Sequence, residues 1–254
     1  MASRKEERER LRKEREAVER KAQASRRSRL IIGYVVAGAF ALVVVVGIVI
    51  VLVGSGGEES TAGSSSAAST DCSDANTDFG GAVPDGAKCD NREGIPPTEV
   101  RIGDLTAAAK AADCDLRLNL RDEGATHLDP KEDLPRYDTN PPTSGNHYPI
   151  PLADGAYLST PSPGNSLHSL EHGRVEIQYS SDLPEGDQLA LKGAFDADRA
   201  GVDMFPNDAM PYDVTVTAWT QMMSCDSFDG NTTLDAIQGF RDAYRGRGPE
   251  AIPY

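Results

Sequence analysis

The chain has only four histidines, and two of them lie four residues apart in the segment "NSLHSLEHGRV". Residues at this spacing share one face of a helix, so His168 and His172 can direct their imidazoles toward a single ion. His147, in the proline-bounded stretch "PPTSGNHYP", is suited to supplying a third ligand, and His127 is a further candidate. Met210 offers a thioether sulfur, which suits copper. The pattern predicts a copper or zinc site.

Two other interpretations of these residues stay open. In the first, the histidines bond internally and hold the proline-rich loop of a non-catalytic cell-envelope interaction module. In the second, "HSLEH" is the H-x-x-E-H signature of inverted zinc peptidases. Both histidines would then bind zinc, Glu171 would act as general base, and a distant carboxylate such as Glu250 would complete the site. Gly173 follows directly and would tend to end the helix, which weakens this interpretation.

The elements that must position these residues indicate an α+β fold. The segment "TEVRIGDLTAAAKAADC" predicts a short strand or turn and then a helix over residues 105–112. "RVEIQYS" alternates as a strand does, with Val175, Ile177 and Tyr179 on one face. "EGDQLALKGAFDAD" predicts a helix, "YDVTVTAWT" a strand, and "TTLDAIQGFRDAYR" a closing helix that Thr232 or Thr233 could cap.

Charge divides the chain, whose net charge is −14, into parts that suit different surroundings. Residues 1–29 contain 12 basic and 6 acidic residues, whereas the remainder contains 14 basic and 34 acidic residues. Between the two, residues 30–53 carry no charge. As a helix this segment would be about 36 Å long, enough to cross a hydrocarbon core of about 30 Å. It is also longer than the apolar core of a cleaved signal peptide, which is about 7–15 residues.

These features predict a single-pass membrane protein. The basic cluster "SRRSR" before the apolar segment places the N-terminus in the cytoplasm. We therefore expect a cytoplasmic tail (1–29), a transmembrane helix in contact with the lipid bilayer (30–53), a Gly/Ser-rich linker (54–70) and one extracytoplasmic α+β domain (71–254). The tail has no aromatic residue and its glutamates cancel half of its charge, which argues against a nucleic-acid partner.

The four cysteines all follow the apolar segment, which agrees with an oxidising compartment and suggests two disulfides. Four cysteines allow three connectivities. We favour a local Cys72–Cys89 bond and a long-range Cys114–Cys225 bond, although the sequence does not decide among the three.

Four motifs together resemble the bacterial domain-of-unknown-function family DUF3105: "PPTSGNHYP", "LHSLEHGRVEIQY", "VTAWT" and "YRGRGPE". The resemblance covers about residues 95–254 and implies a domain that is frequently found behind a single membrane anchor, without an established activity. "VTAWT" departs from the glycine expected after the tryptophan. By resemblance, the motif positions are Pro141, Pro142, Ser144, Gly145, His147, His168, Glu171, His172, Gly173 and Trp219.

Overall fold

The computed structural model describes residues 71–254, which form a mixed α+β structure. The predicted tail, transmembrane helix and linker lie outside these residues. No helix within residues 71–254 is long and apolar enough to cross a bilayer. The elements of this part of the chain are, in order, α1 (Leu105–Ala111), β1 (Cys114–Arg117), α2 (Pro163–Glu171), β2 (Val175–Tyr179), α3 (Glu185–Ala197), β3 (Val202–Pro206), β4 (Val214–Ala218), β5 (Gln221–Cys225) and α4 (Gly230–Tyr244).

The five strands form one sheet in the order β1-β5-β4-β2-β3. β2 and β3 are parallel, and α3 supplies the crossover that a parallel pair requires. The other neighbours are antiparallel. β4 and β5 are joined by the short turn Trp219–Thr220, in which Thr220 takes a φ of 58°. The sheet is therefore mixed, with its parallel pair at one edge.

The two faces of the sheet differ in chemistry. Val175, Ile177 and Tyr179 lie on one face, as predicted, and join the main hydrophobic core. The opposite face carries buried polar residues. This face is covered by α2 and by irregular chain. Ser166 of α2 donates a hydrogen bond to Glu176, and the amide of Gly155 in the irregular chain donates one to Asp203. The helices that pack on the apolar face contribute Leu191, Phe195, Leu234, Ile237 and Phe240.

Both favoured disulfides are present. Cys72 bonds to Cys89 and Cys114 bonds to Cys225, so the described residues contain no free cysteine. Cys114 and Cys225 are also register partners on β1 and β5. The second disulfide therefore fastens the edge strand β1 to the rest of the sheet.

Element positions agree with the predictions more closely at α1, α3 and β4 than at the start of α4. That helix begins at Gly230, with Asp229 as its N-cap residue, so a cap at Thr232 or Thr233 was wrong. The two threonines still serve this helix end, because Thr233 Oγ1 accepts from the Asp229 amide and Thr232 Oγ1 donates to the Asp229 carbonyl. No strand forms in residues 98–104, ahead of α1.

Candidate metal centre

His147 is delivered by a tightly constrained loop. Gly145 has a φ of 131°, and a Cβ at this position would lie 2.7 Å from the ring of Tyr137. A side chain is therefore excluded both by the backbone conformation and by the close approach of the ring. The Tyr137 hydroxyl donates to the carbonyl of Asn146, and Ser144 Oγ accepts from the amide of Glu123. These contacts hold the loop in one place, so the His147 side chain has a defined position.

His168 and Glu171 come from α2. The helix begins with Ser162 as N-cap, whose hydroxyl accepts from the amide of Gly164, and Pro163 occupies the first turn, where its missing N–H is tolerated. Because His168 and Glu171 are three residues apart, their side chains share one face of the helix. The segment "SLHSLEH" is helical up to Glu171, and His172 is the C-cap residue.

His127 reaches the same place through backbone pairing in the irregular part of the chain. An isolated parallel bridge joins His127 to His147. Within it, the amide of Leu128 donates to the His147 carbonyl at 2.7 Å, and the amide of His147 donates to the Thr126 carbonyl at 3.1 Å. The bridge sets the rings side by side, with centroids 5.0 Å apart.

One potential ligand atom from each of His127, His147, His168 and Glu171 lies within 4.8 Å of all the others. Glu171 Oε2 lies within 4 Å of all three histidines. It lies 3.0 Å from Nε2 of His147, 3.6 Å from Nε2 of His127 and 3.9 Å from Nε2 of His168. Four nitrogen and oxygen ligands from three separate segments therefore converge, and this cluster could hold a metal ion.

The hydrogen bonds of the two buried histidines turn their Nε2 atoms toward Glu171. His147 Nδ1 donates to the Gly145 carbonyl and His168 Nδ1 donates to the Tyr148 carbonyl, both at 2.8 Å. A carbonyl oxygen can only accept, so Nδ1 carries a proton in each ring. Nε2 of each ring faces the Glu171 carboxylate, and Nε2 of His147 lies within hydrogen-bonding distance of Glu171 Oε2, at 3.0 Å. Backbone carbonyls that orient imidazoles in this way are typical partners of metal-binding histidines.

His168 keeps its lone pair free at neutral pH. Burial lowers the pKa of His168 to about 4, and this effect exceeds the opposing contribution of the hydrogen bond to the Tyr148 carbonyl. The neighbouring histidines lower the pKa of His168 further. The ring is thus neutral at pH 7, which is the form that binds a metal.

The distances suit a small divalent ion. With metal–nitrogen bonds of about 2.0–2.1 Å, the corners of a tetrahedron are about 3.3 Å apart. The three distances from Glu171 Oε2, 3.0, 3.6 and 3.9 Å, bracket this value. Imidazole ligands suit zinc and copper, whereas magnesium and calcium prefer sites made of oxygen alone. The donor set of three imidazoles and one carboxylate therefore fits the predicted class of ion.

His172, which the sequence suggested as a ligand, lies beside this group and not in it. Its ring is 4.6 Å from that of His168, but its Nδ1 donates to the backbone carbonyl of Glu250 at 3.0 Å. The reason is the end of α2, because His172 is the C-cap residue and Gly173 follows with a φ of 81°. Glu171, and not His172, is the second residue of α2 in the cluster. Its position three residues after His168 could have indicated this from the sequence.

The arrangement also differs from the H-x-x-E-H peptidase pattern. That pattern requires His168 and His172 as joint ligands, with Glu171 free to act as a base. Here the Glu171 carboxylate is itself in the group, and the contact of Glu250 with His172 is made by its backbone. Met210 is buried in the turn between β3 and β4, and its role as a ligand stays a prediction.

Trp219 forms part of the wall beneath the site. Its ring meets the His147 ring edge to face, with centroids 6.2 Å apart, and its Nε1 donates to Asp122 Oδ2 at 3.3 Å. Leu167 and Leu170, on α2, pack with Trp219 in a small hydrophobic cluster. Trp219 was named as a motif position by the family resemblance, but its spacing in the sequence did not predict that it contacts the histidines.

Comparison with known proteins agrees with the motif resemblance. A family model described as "Protein of unknown function (DUF3105)" matches residues 127–253, half of the chain. The match begins later than the expected residue 95 and includes all four residues of the cluster. Comparisons with curated proteins and with solved structures gave no match. The chain belongs to the DUF3105 family.

Proposed function

We propose that this protein binds one copper or zinc ion outside the cell membrane, through His127, His147, His168 and Glu171. The observation that carries the proposal is the convergence of three imidazoles and one carboxylate, whose ligand atoms lie within 4.8 Å of one another. Nε2 of His147 and Oε2 of Glu171 lie 3.0 Å apart in the interior, where the side-chain exposures of Glu171 and His147 are 3% and 0%. Burying a carboxylate without a compensating positive charge is costly, and a divalent cation supplies that charge.

The membrane anchor is part of the same proposal. Its support is the charge-free segment of residues 30–53 and the basic cluster in front of it. The two disulfides add support, because such bonds persist in oxidising compartments. Under this proposal the metal centre faces the outside, where it meets ions before they enter the cell.

The test is metal analysis of the full chain, purified in detergent from cells supplied with zinc or copper. We expect one ion per chain in the wild type and a loss of that ion in His168→Ala. His172→Ala is the matched control, because it removes a neighbouring imidazole whose Nδ1 is turned to the Glu250 carbonyl. A wild-type protein that stays free of both metals under both supplies would refute the proposal.

A second function is favoured by a different observation. Three histidines donate from Nδ1 to backbone carbonyls of residues 145, 148 and 250, as structural histidines do. If the cluster only holds the loops of an envelope interaction module, removal of His168 lowers the melting temperature while metal ions leave the wild-type melting temperature unchanged. The metal proposal instead requires that the ion raise the melting temperature.

A further inference from the structure

The four residues of the cluster differ in their access to solvent. The side chains of His147, His168 and Glu171 are 0%, 4% and 3% exposed. The His127 side chain is 46% exposed. His147, His168 and Glu171 thus form the buried part of the site, and His127 lies between them and the solvent.

The restraints on the rings differ in the same way. The Nδ1 atoms of His147 and His168 are each fixed by a backbone carbonyl. Among residues 71–254, His127 Nδ1 has no such partner, although the His127 backbone is held by its bridge to His147. The ring can therefore rotate away from the site without breaking a hydrogen bond of its own or moving the chain that carries it.

We propose that His127 is an exchangeable ligand, and that an external donor of the imidazole or carboxylate class can take its coordination position. This inference rests on the proposed metal site and adds what that site can bind. Three fixed protein ligands with one replaceable position are the arrangement of zinc sites that bind a substrate or water, whereas structural sites are closed by four fixed ligands.

The exchange needs no redox step. The metal–Nε2 bond to His127 breaks, and the ring keeps its lone pair and faces the solvent. A lone pair from the incoming nitrogen or oxygen forms the new bond, so the charge and the number of ligands of the ion are preserved when the donor is imidazole. The chemical class of the partner follows: a small molecule or a protein side chain that presents an imidazole or carboxylate from solvent.

The test compares His127→Ala with His147→Ala, the same truncation at the exposed and at a buried position. Each full-length variant is titrated with cobalt(II), whose visible spectrum reports the number and kind of ligands, and then with millimolar imidazole. We expect His127→Ala to bind one ion with lower affinity, by at least the roughly 10- to 100-fold loss that removal of an outer-shell partner of a metal ligand causes. Imidazole should restore the wild-type spectrum in this variant and not in His147→Ala.

The outcomes separate this inference from the proposed function. A wild type that does not bind cobalt, zinc or copper refutes the proposed function itself. If the wild type binds but His127→Ala is unchanged in affinity and spectrum, His127 is not a ligand and the inference is wrong. It is equally wrong if His127→Ala loses the ion and imidazole does not restore it. Should circular dichroism show that His147→Ala is unfolded, Glu171→Gln replaces it as the buried comparison.

Discussion

Glu176 provides a quantitative prediction about stability on the polar face of the sheet. The residue lies in β2 and is fully buried. Its carboxyl accepts hydrogen bonds from Ser166 Oγ at 2.5 Å, Gln178 Nε2 at 2.9 Å and Thr217 Oγ1 at 3.2 Å. Burial raises the pKa of Glu176 from its ordinary 4.5 to about 7, and the three hydrogen bonds oppose this effect only in part.

The sign of the pH dependence follows from proton binding. Between pH 4.5 and pH 7 the folded protein holds a proton on Glu176 that the unfolded chain has released. Stability from this residue is therefore full below pH 4.5 and is lost as the pH rises through about 7. One pKa unit corresponds to about 1.4 kcal/mol, so the loss is about 3 kcal/mol.

Glu176→Gln removes the ionisation and keeps the size of the side chain. We expect the stability of this variant, relative to the wild type, to increase by about 3 kcal/mol between pH 4 and pH 8. For a domain of this size the change corresponds to about 6–12 °C in the difference between the two melting temperatures. The measurement is thermal unfolding of both proteins across this pH range, with a chelator present so that metal binding does not contribute.

Glu132→Gln, which removes a glutamate from the surface, controls for the loss of one negative charge. The comparison uses the change with pH, so a constant cost of replacing one oxygen by an amide does not affect it. A stability difference that stays constant from pH 4 to pH 8, or that shrinks as the pH rises, would refute the reasoning about burial.

Two further predictions concern the disulfides and the C-terminal segment. Replacing both Cys114 and Cys225 with serine should lower the free energy of unfolding in urea by about 5 kcal/mol, because this bond closes a loop of 111 residues. The other disulfide closes a separation of 17 and should contribute about 3 kcal/mol, so a reversed order would contradict the chain-entropy argument. Gly248→Ala would set a Cβ 2.0 Å from the Glu171 carbonyl oxygen, so we expect weaker metal binding and a loss of about 1–3 kcal/mol in thermal unfolding. Gly186→Ala, whose Cβ would meet no atom within 4 Å, is the control, and equal behaviour of the two variants would disprove the predicted clash.

The predictability of the fold differed between elements. α3 and α4 carry long amphipathic patterns. In β4, valine alternates with threonine, and both are β-branched. All three elements were therefore predicted close to their observed positions. β1 ("CDLR"), β3 ("VDMFP") and β5 ("QMMSC") were missed. Nearly all residues of β3 and β5 are buried, so these two strands lack the alternation of a half-exposed strand, and β5 has no β-branched residue. Their pairing partners stabilise them, and those partners are distant in sequence.

The sequence alone identified three of the four clustered residues, His127, His147 and His168, and the segments that carry them. A chain with four histidines, one pair at helical spacing and one histidine in a proline-bounded loop, was sufficient to predict a site for copper or zinc. It also indicated the two disulfides, although not their connectivity. These conclusions depend on local spacing and side-chain chemistry, both of which can be read from the sequence.

Only the tertiary structure decided which four residues meet. The end of α2 turns His172 toward the C-terminal segment and leaves Glu171 among the histidines, and the bridge between His127 and His147 sets two irregular segments side by side. Coordination requires ligand atoms placed to within a few tenths of an ångström, and such placement arises from long-range contacts that no local pattern encodes. The exposure of His127 against the burial of its three partners has the same origin, because solvent access is a property of the packed chain.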